Sequence, residues 1–164
     1  MKNLRDLFEH EMQDLYNAEN QLLKALPKMK ENAVSEELRD AFDKHLSETE
    51  THKQRIEKIC SKLGINPKGE KCEAMEGLIK EANSFIDEKT SEEVRDAGLI
   101  AEAQRVEHYE IAGYGTAVRF AKELGMDDIA NILQETLDEE YKTDDLLTEM
   151  AENRLNKKAQ QATM

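Results

Sequence analysis

No tryptophan occurs in this chain of 164 residues, and aromatic side chains make up only 5% of it, which leaves little surface for stacking on bases or sugars. Cysteine is nearly absent as well. Cys60 and Cys72 do not form a Cys-x-x-Cys pair, so there is no rubredoxin-like centre, and free thiols in a reducing compartment are expected. There is no glycine-rich phosphate loop, nucleophile elbow or zinc-protease motif. No apolar run approaches a membrane span, so no membrane contact is expected. Arg5 and Asp6 interrupt the first residues, which argues against a signal peptide and makes the cytoplasm the expected location. Positive charge is also in deficit. A net charge of −13 repels nucleic-acid phosphates, and Arg154, Lys157 and Lys158 near the C-terminus are too few to reverse that, so no nucleic-acid partner is expected.

What the chain does contain is helical periodicity. Its 38% hydrophobic and 36% charged residues suit a helical bundle of one domain, read here as residues 1–156 followed by a polar tail, 157–164. Four long apolar stripes recur at helical spacing. The first runs Leu4, Phe8, Met12, Leu15, Leu22, Leu26, Met29, and the second Leu38, Phe42, His45, Glu48, His52, Ile56, Ile59, Leu63. The third runs Val94, Ala97, Ile100, Gln104, Glu107, then Glu110 or Ile111, Tyr114, Val118, Ala121, Leu124. The fourth runs Ala130, Leu133, Leu137, Glu140, Asp144, Leu147, Ala151. Each stripe carries an acid near its middle, with Glu19 filling the gap between Leu15 and Leu22.

Helix ends are punctuated in the usual way. Ser35 and the pair Thr90/Ser91 precede acidic first turns, Glu93 stands three residues after Thr90 as in a capping box, and Gly64 and Gly125 follow Leu63 and Leu124 as C′ glycines. Short turns near Ala33 and Gly125 make two antiparallel hairpins. Residues 64–91 are too many for a turn. They predict a crossover containing a short amphipathic helix with Met75, Leu78, Ile79, Ala82 and Ile86 on one side, long enough to traverse the bundle and make the second and third long helices parallel. The fold class is therefore all-α, a four-helix bundle with one long crossover connection and a short fifth helix.

That topology aligns the acids. Glu19 and Glu48 lie about 14.5 residues from the first turn, and Glu140 and Glu110 about 14.5 and 15.5 from the second, or roughly 22–23 Å in each case. All four meet at mid-height. His45, Glu107 and Asp144 fall about one turn to one side of that level and His52 about one turn to the other. Buried carboxylates are costly unless their charge is cancelled, and the agent that suits several of them together is a metal ion. Oxygen ligands with one or two imidazoles suit iron or manganese, and such sites are built inside bundles of this kind. The expected site is a binuclear metal centre. Stray solvated charges are the alternative.

Several segments also carry a resemblance: YNAENQLLKALPKM (Tyr16–Met29), HLSETE (His45–Glu50), CEAMEGLIKE (Cys72–Glu81), VEHYEIAGYG (Val106–Gly115) and TLDEEYKTDDLL (Thr136–Leu147). Over nearly its whole length the chain resembles the YciE/YciF family of bacterial stress-induced ferritin-like proteins. The resemblance implies a ferritin-like bundle related to rubrerythrins, dimeric and metal-binding. The ferritin-like pattern gives a lone Glu from two helices and Glu-x-x-His from the other two. Here Glu107 and Glu110 form a Glu-x-x-Glu, and Thr51 and Thr143 stand where histidines would follow Glu48 and Glu140. Histidine comes instead at His45 and His52, and Asp144 follows Glu140 by one turn. The expected ligands are Glu19, Glu48, Glu107, Glu110 and Glu140, with His45, His52 and Asp144 as candidate ligands or supporting groups.

Two functions of different class follow. One is a stress-response protein whose di-metal centre reacts with peroxide or dioxygen. The other is a metal-poor structural or interaction protein without turnover. A homodimer is expected, with Leu7 and Tyr109, both off the main stripes, available to an interface.

Overall fold

The computed structural model describes residues 1–162, the side chain of Arg154 excepted. Its elements in chain order are α1 (Leu4–Asn32), α2 (Glu36–Leu63), α3 (Glu73–Asp87), α4 (Glu92–Glu123) and α5 (Asp127–Met150), then a π-helical turn (Ala151–Leu155) and α6 (Asn156–Gln161). α1, α2, α4 and α5 are the four long helices, and α3 is the crossover helix. Residues 157–161 of the stretch set apart as a polar tail are helical, continuing α6 from Asn156, while Thr163 and Met164 of that tail lie outside the described residues. Among the described residues no helix is long and apolar enough to cross a membrane.

Capping follows local chemistry. Asn3 accepts the Asp6 N–H and starts α1, which runs through Pro27 to Asn32. Gly64 and Gly125 adopt φ of 69° and 70°, the left-handed conformation that ends α2 and follows α4 at little steric cost. At the start of α4 the cap is Ser91, whose hydroxyl accepts the Val94 N–H; the Thr90–Glu93 box does not form, and Thr90 Oγ1 is buried without a partner. Ser35 does not cap α2 through its hydroxyl. Instead the buried carboxylate of Asp96, reaching from α4, accepts the backbone N–H groups of Val34 and Ser35 at 2.7 and 2.8 Å.

These contacts fix the topology. Asp96, near the start of α4, meets the α1–α2 turn, whereas Arg5 reaches Met126 and Lys62 reaches Asp128 at the other end. The two hairpin turns thus lie at opposite ends, and α2 and α4 are parallel. The crossover climbs from one end to the other: Gln13 bonds Asn66 in the loop, Gln21 bonds Cys72 at mid-height, and Arg95 takes the carbonyls of Ile86 and Glu88 at the end. α3 lies so close to α4 that a Cβ at Gly98 would fall 1.9 Å from the Phe85 ring. This third neighbour turns the first part of α4: Asp96 and Leu99 are buried there, and Val94, expected in the stripe, is exposed.

The apolar core is in two parts. One gathers Leu22, Leu26, Phe42, Met75, Leu99 and Leu147 under α3, and the other Phe8, Leu15, Ile56, Tyr114, Ala121 and Leu133 at the far end. Between them sits a polar layer.

Candidate metal centre

The inward register of each long helix decides which polar groups enter that layer. On α2 the buried positions are His45, Thr49, His52, Ile56 and Ile59, a regular succession of three- and four-residue steps along one face. On α4 Glu107, Glu110 and Tyr114 share a face, on α5 Thr136, Glu140, Thr143 and Leu147 do, and α1 contributes Glu19. Glu19, Glu110, Glu140 and His52 have no exposed surface, and Glu107 and His45 almost none.

Two expected ligands fall outside this set. Thr49 occupies the inward slot on α2, bonding its hydroxyl to the His45 carbonyl at 2.8 Å. Glu48, one residue back and about 100° round the helix, is drawn to the rim, where Lys44 pairs with it at 3.1 Å; its Oε2 is still buried and unpartnered. On α5 the inward slot after Glu140 goes to Thr143. Asp144 is turned toward α4, accepting from Gln104 at 3.0 Å and meeting His108 at 3.2 Å. Neither Glu48 nor Asp144 belongs to the gathered cluster. Tyr109, expected off the bundle's own stripes, also turns inward: its hydroxyl donates to Asp14 and lies 2.9 Å from Cys72 Sγ, which ties α4 to α1 and α3.

The remaining six side chains form two groups whose ligand atoms lie within 4.8 Å of one another. One is His45, Glu107, Glu110 and Glu140, and the other Glu19, His52 and Glu140. Glu140 is common to both. His45 Nε2 stands 3.1 Å from Glu107 Oε1, and His52 Nδ1 stands 2.9 Å from Glu140 Oε1 and 3.7 Å from Glu19 Oε1. These approaches are close but lack hydrogen-bond alignment. Glu19 Oε2, both nitrogens of His45, His52 Nδ1, Glu107 Oε2 and both oxygens of Glu110 and of Glu140 are left buried without a partner. Native proteins leave few such atoms, and six side chains that contribute them in one place form a polar layer able to hold a metal ion.

The electrostatics agree. Burial, reinforced by the neighbouring carboxylates, pushes the Glu19 carboxyl up to about 8 and those of Glu107 and Glu110 well above the ordinary range. Burial likewise lowers the pKa of His45. His52 goes the other way. Desolvation would lower it, but Glu140, Glu19 and Glu139 hold its proton and raise it to about 9. Tyr114 donates its hydroxyl to Glu19 Oε1.

Three supporting residues went unread in the sequence. Glu139 accepts from His52 Nε2 at 2.8 Å and is gripped by Arg55 at 2.5 and 3.2 Å, with Thr136 taking a further Arg55 N–H at 3.2 Å. The spacing of His52 and Arg55 puts both on one side of α2, but nothing in a single sequence says that Glu139 lies opposite.

The donor set is all oxygen and imidazole, deeply buried, with a carboxylate shared between two groups. Such donors suit hard or borderline divalent ions. The six side chains are buried, with an apolar block on either side.

Comparison with known proteins agrees with the fold. Residues 3–160 match the family described as a domain of unknown function, DUF892. The chain is 48% identical over 161 residues to the protein YciF of Escherichia coli (strain K12), covering 98% of this chain and 97% of that one. A crystal structure described as the E. coli stress protein YciF superposes with a TM-score of 0.92 at 47% identity, covering 96% of this chain and 99% of that one. A putative structural protein from Rhodopseudomonas palustris gives 0.87 at 43% identity, over 90% and 94% of the two chains. A Xanthomonas campestris protein with 20% identity and a TM-score of 0.75, over 92% and 93%, shares the fold. On sequence and fold together, this chain belongs to the DUF892 family, whose YciF members are all-α bundles of the same build.

Proposed function

We propose that the chain is a stress-response protein whose mid-bundle cluster holds two iron or manganese ions and reacts with peroxide or dioxygen. The observation that carries this is the pair of buried ligand groups joined through Glu140, with their polar atoms otherwise unpartnered. His45, Glu107 and Glu110 would hold one ion, Glu19 and His52 the other, and Glu140 both. When bound there, two redox-active ions would together supply the two electrons that reduce a peroxide O–O bond, with two protons taken from solvent to give water. The chain's own residues would offset the ions' charge, exclude water from them and keep the Tyr114 hydroxyl on Glu19. Electrons for a second turnover would come from a separate reductant. The stress assignment leans on the description of the E. coli relative.

Metal analysis of freshly purified protein tests the reading, followed by peroxide and dioxygen consumption by the loaded form. Close to two ions per chain with consumption of either oxidant supports it, and no bound metal refutes it. The reading extends to a cytoplasmic homodimer, for which half-exposed Tyr141 is an available contact. Light scattering that gives a monomer at working concentration removes that part.

A second reading has its own observation. The His52 imidazolium lies against Glu140, Glu19 and Glu139, so part of the layer's charge is balanced without any ion. A metal-poor structural protein would use His52 in that way, and the same metal analysis separates the two.

A further inference from the structure

Beyond the gathered ligands, the two imidazoles of the cluster differ in what holds them. His45 has both ring nitrogens buried and no hydrogen-bond partner for either. His52 is gripped from behind. Its Nε2 lies 2.8 Å from Glu139 Oε2, while its Nδ1 points at Glu19 and Glu140. Glu139 is itself fixed, because Arg55 takes both of its oxygens, at 2.5 and 3.2 Å, and Arg55 is braced on Thr136. The outer end of this chain is partly solvent-exposed, with Glu139 and Arg55 at 27% and 19% side-chain exposure, whereas His52 is buried. Imidazole can ligate through only one nitrogen while the other carries its proton, and the partner of the second nitrogen decides which.

Resting on the di-metal reading above, we propose that Glu139, held by Arg55, is a positioning residue. It keeps the proton of His52 on Nε2 and the free pair of Nδ1 turned inward, so the Glu19–His52–Glu140 half of the centre depends on a surface-facing ion pair that the His45 half lacks. The Glu139 carboxylate hydrogen-bonds His52 and Arg55. The consequence is a centre whose two halves are separable: disturbing the α2–α5 surface releases one ion and leaves the other.

A general effect on the bundle can be told apart from this role. The Glu135 carboxylate also meets Arg55, at 3.5 Å, but it is 65% exposed and does not bond His52. Removing it takes the same charge from the same ion-pair group without freeing the imidazole. Glu139→Gln keeps the size of the side chain and removes its charge, and Arg55→Gln leaves Glu139 in place without its clamp.

The experiment titrates Mn(II) into metal-free wild type, Glu139→Gln, Arg55→Gln and Glu135→Gln, with bound ions counted by equilibrium dialysis. Electron paramagnetic resonance of the same samples separates paired from isolated Mn(II). Wild type and Glu135→Gln are expected to bind two ions and give the broad signal of an interacting pair. Glu139→Gln should keep the first ion but bind the second about 10–100-fold more weakly, the range seen when the outer partner of a ligating histidine is removed. At limiting metal it should show the six-line signal of isolated Mn(II), and Arg55→Gln should shift in the same direction by a smaller factor. Two ions held as tightly in Glu139→Gln as in wild type would overturn the proposal. So would equal weakening of both ions, because the pair would then support the bundle and not the ring. Wild type that binds no Mn(II) sinks the di-metal reading itself, and the positioning role with it.

Discussion

Replacing Glu110 by Met should stabilise the metal-free protein and blunt its response to metal. Both Glu110 oxygens are buried without a partner, and Glu140, Glu19 and Glu107 face them. Near neutral pH the fold therefore carries either an ionised group among like charges or a neutral acid whose polar atoms go unsatisfied, and both are unfavourable. Gln would keep the second defect. Met has a similar reach and nothing to satisfy. Exchanging buried ionic groups for apolar ones of like volume stabilises by about 1–4 kcal/mol. At about 2 kcal/mol, and at roughly 2–4 °C per kcal/mol for a chain of this size, the metal-free melting temperature rises by about 4–8 °C. If wild type binds metal as proposed, Mn(II) at about 100 times its dissociation constant should add roughly 2.7 kcal/mol per ion. The variant should lose most of that gain for the ion near His45, one of whose four ligand residues has gone. Differential scanning calorimetry of both proteins, in chelator and in Mn(II), gives the four midpoints. A variant that melts below wild type in chelator, or metal shifts of equal size in the two proteins, would refute the reasoning.

The metal-free protein should also lose stability as pH rises from neutral toward 9. Glu19 ionises near 4.5 when unfolded but at about 8 in the fold, so its contribution is complete in acid and lost as pH climbs to 8; His52, raised from 6.5 to about 9, loses its share between those values. Melting temperatures that rise over this range would contradict both shifts. Gly98→Ala should destabilise by about 1–3 kcal/mol through overpacking against Phe85, although Ala is the better helix former by about 1 kcal/mol. A urea midpoint at or above that of wild type would show that α3 simply moves aside. Asp96→Ala strips two hydrogen bonds from the α1–α2 turn and should cost roughly 2–4 kcal/mol, with amide exchange quickening first at Val34 and Ser35. Unchanged exchange at those two amides would count against that role.

The fold was legible because its signals are long. Four stripes, two glycine stops and a crossover of sufficient length leave one arrangement of hairpins, and Glu19, Glu107, Glu110 and Glu140 follow from the apolar residues that flank them. The site was less legible where helical geometry gives two answers. An inward face accepts steps of three or four residues, so Glu48 competed with Thr49 and Asp144 with Thr143. The threonines took the inward slots, each with a backbone carbonyl four residues back to receive its hydroxyl. Lys44, Gln104 and His108 gave the two acids partners elsewhere. The contacts of Asp96 and Tyr109 were not legible for another reason. Their surroundings include groups distant in sequence, the α1–α2 turn for one and Cys72 with Asp14 for the other, and the periodicity of α4 alone does not contain those neighbours. Glu139 is the same case. It reads as one more surface acid until α2 is laid against α5.

The layer of carboxylates and imidazoles leaves the bundle with two oily interiors that share four helices and do not touch as one core. Cooperativity between the two ends then rests on backbone continuity and on whatever binds the layer together. With its charges unbalanced, the block beneath α3 and the block near Gly125 are joined by their weakest section, and each can open as its own unit. Ions bound there as proposed would tie all four helices at mid-height and merge the two into a single unit. The sharpness of unfolding, as much as its temperature, would then report the metal state.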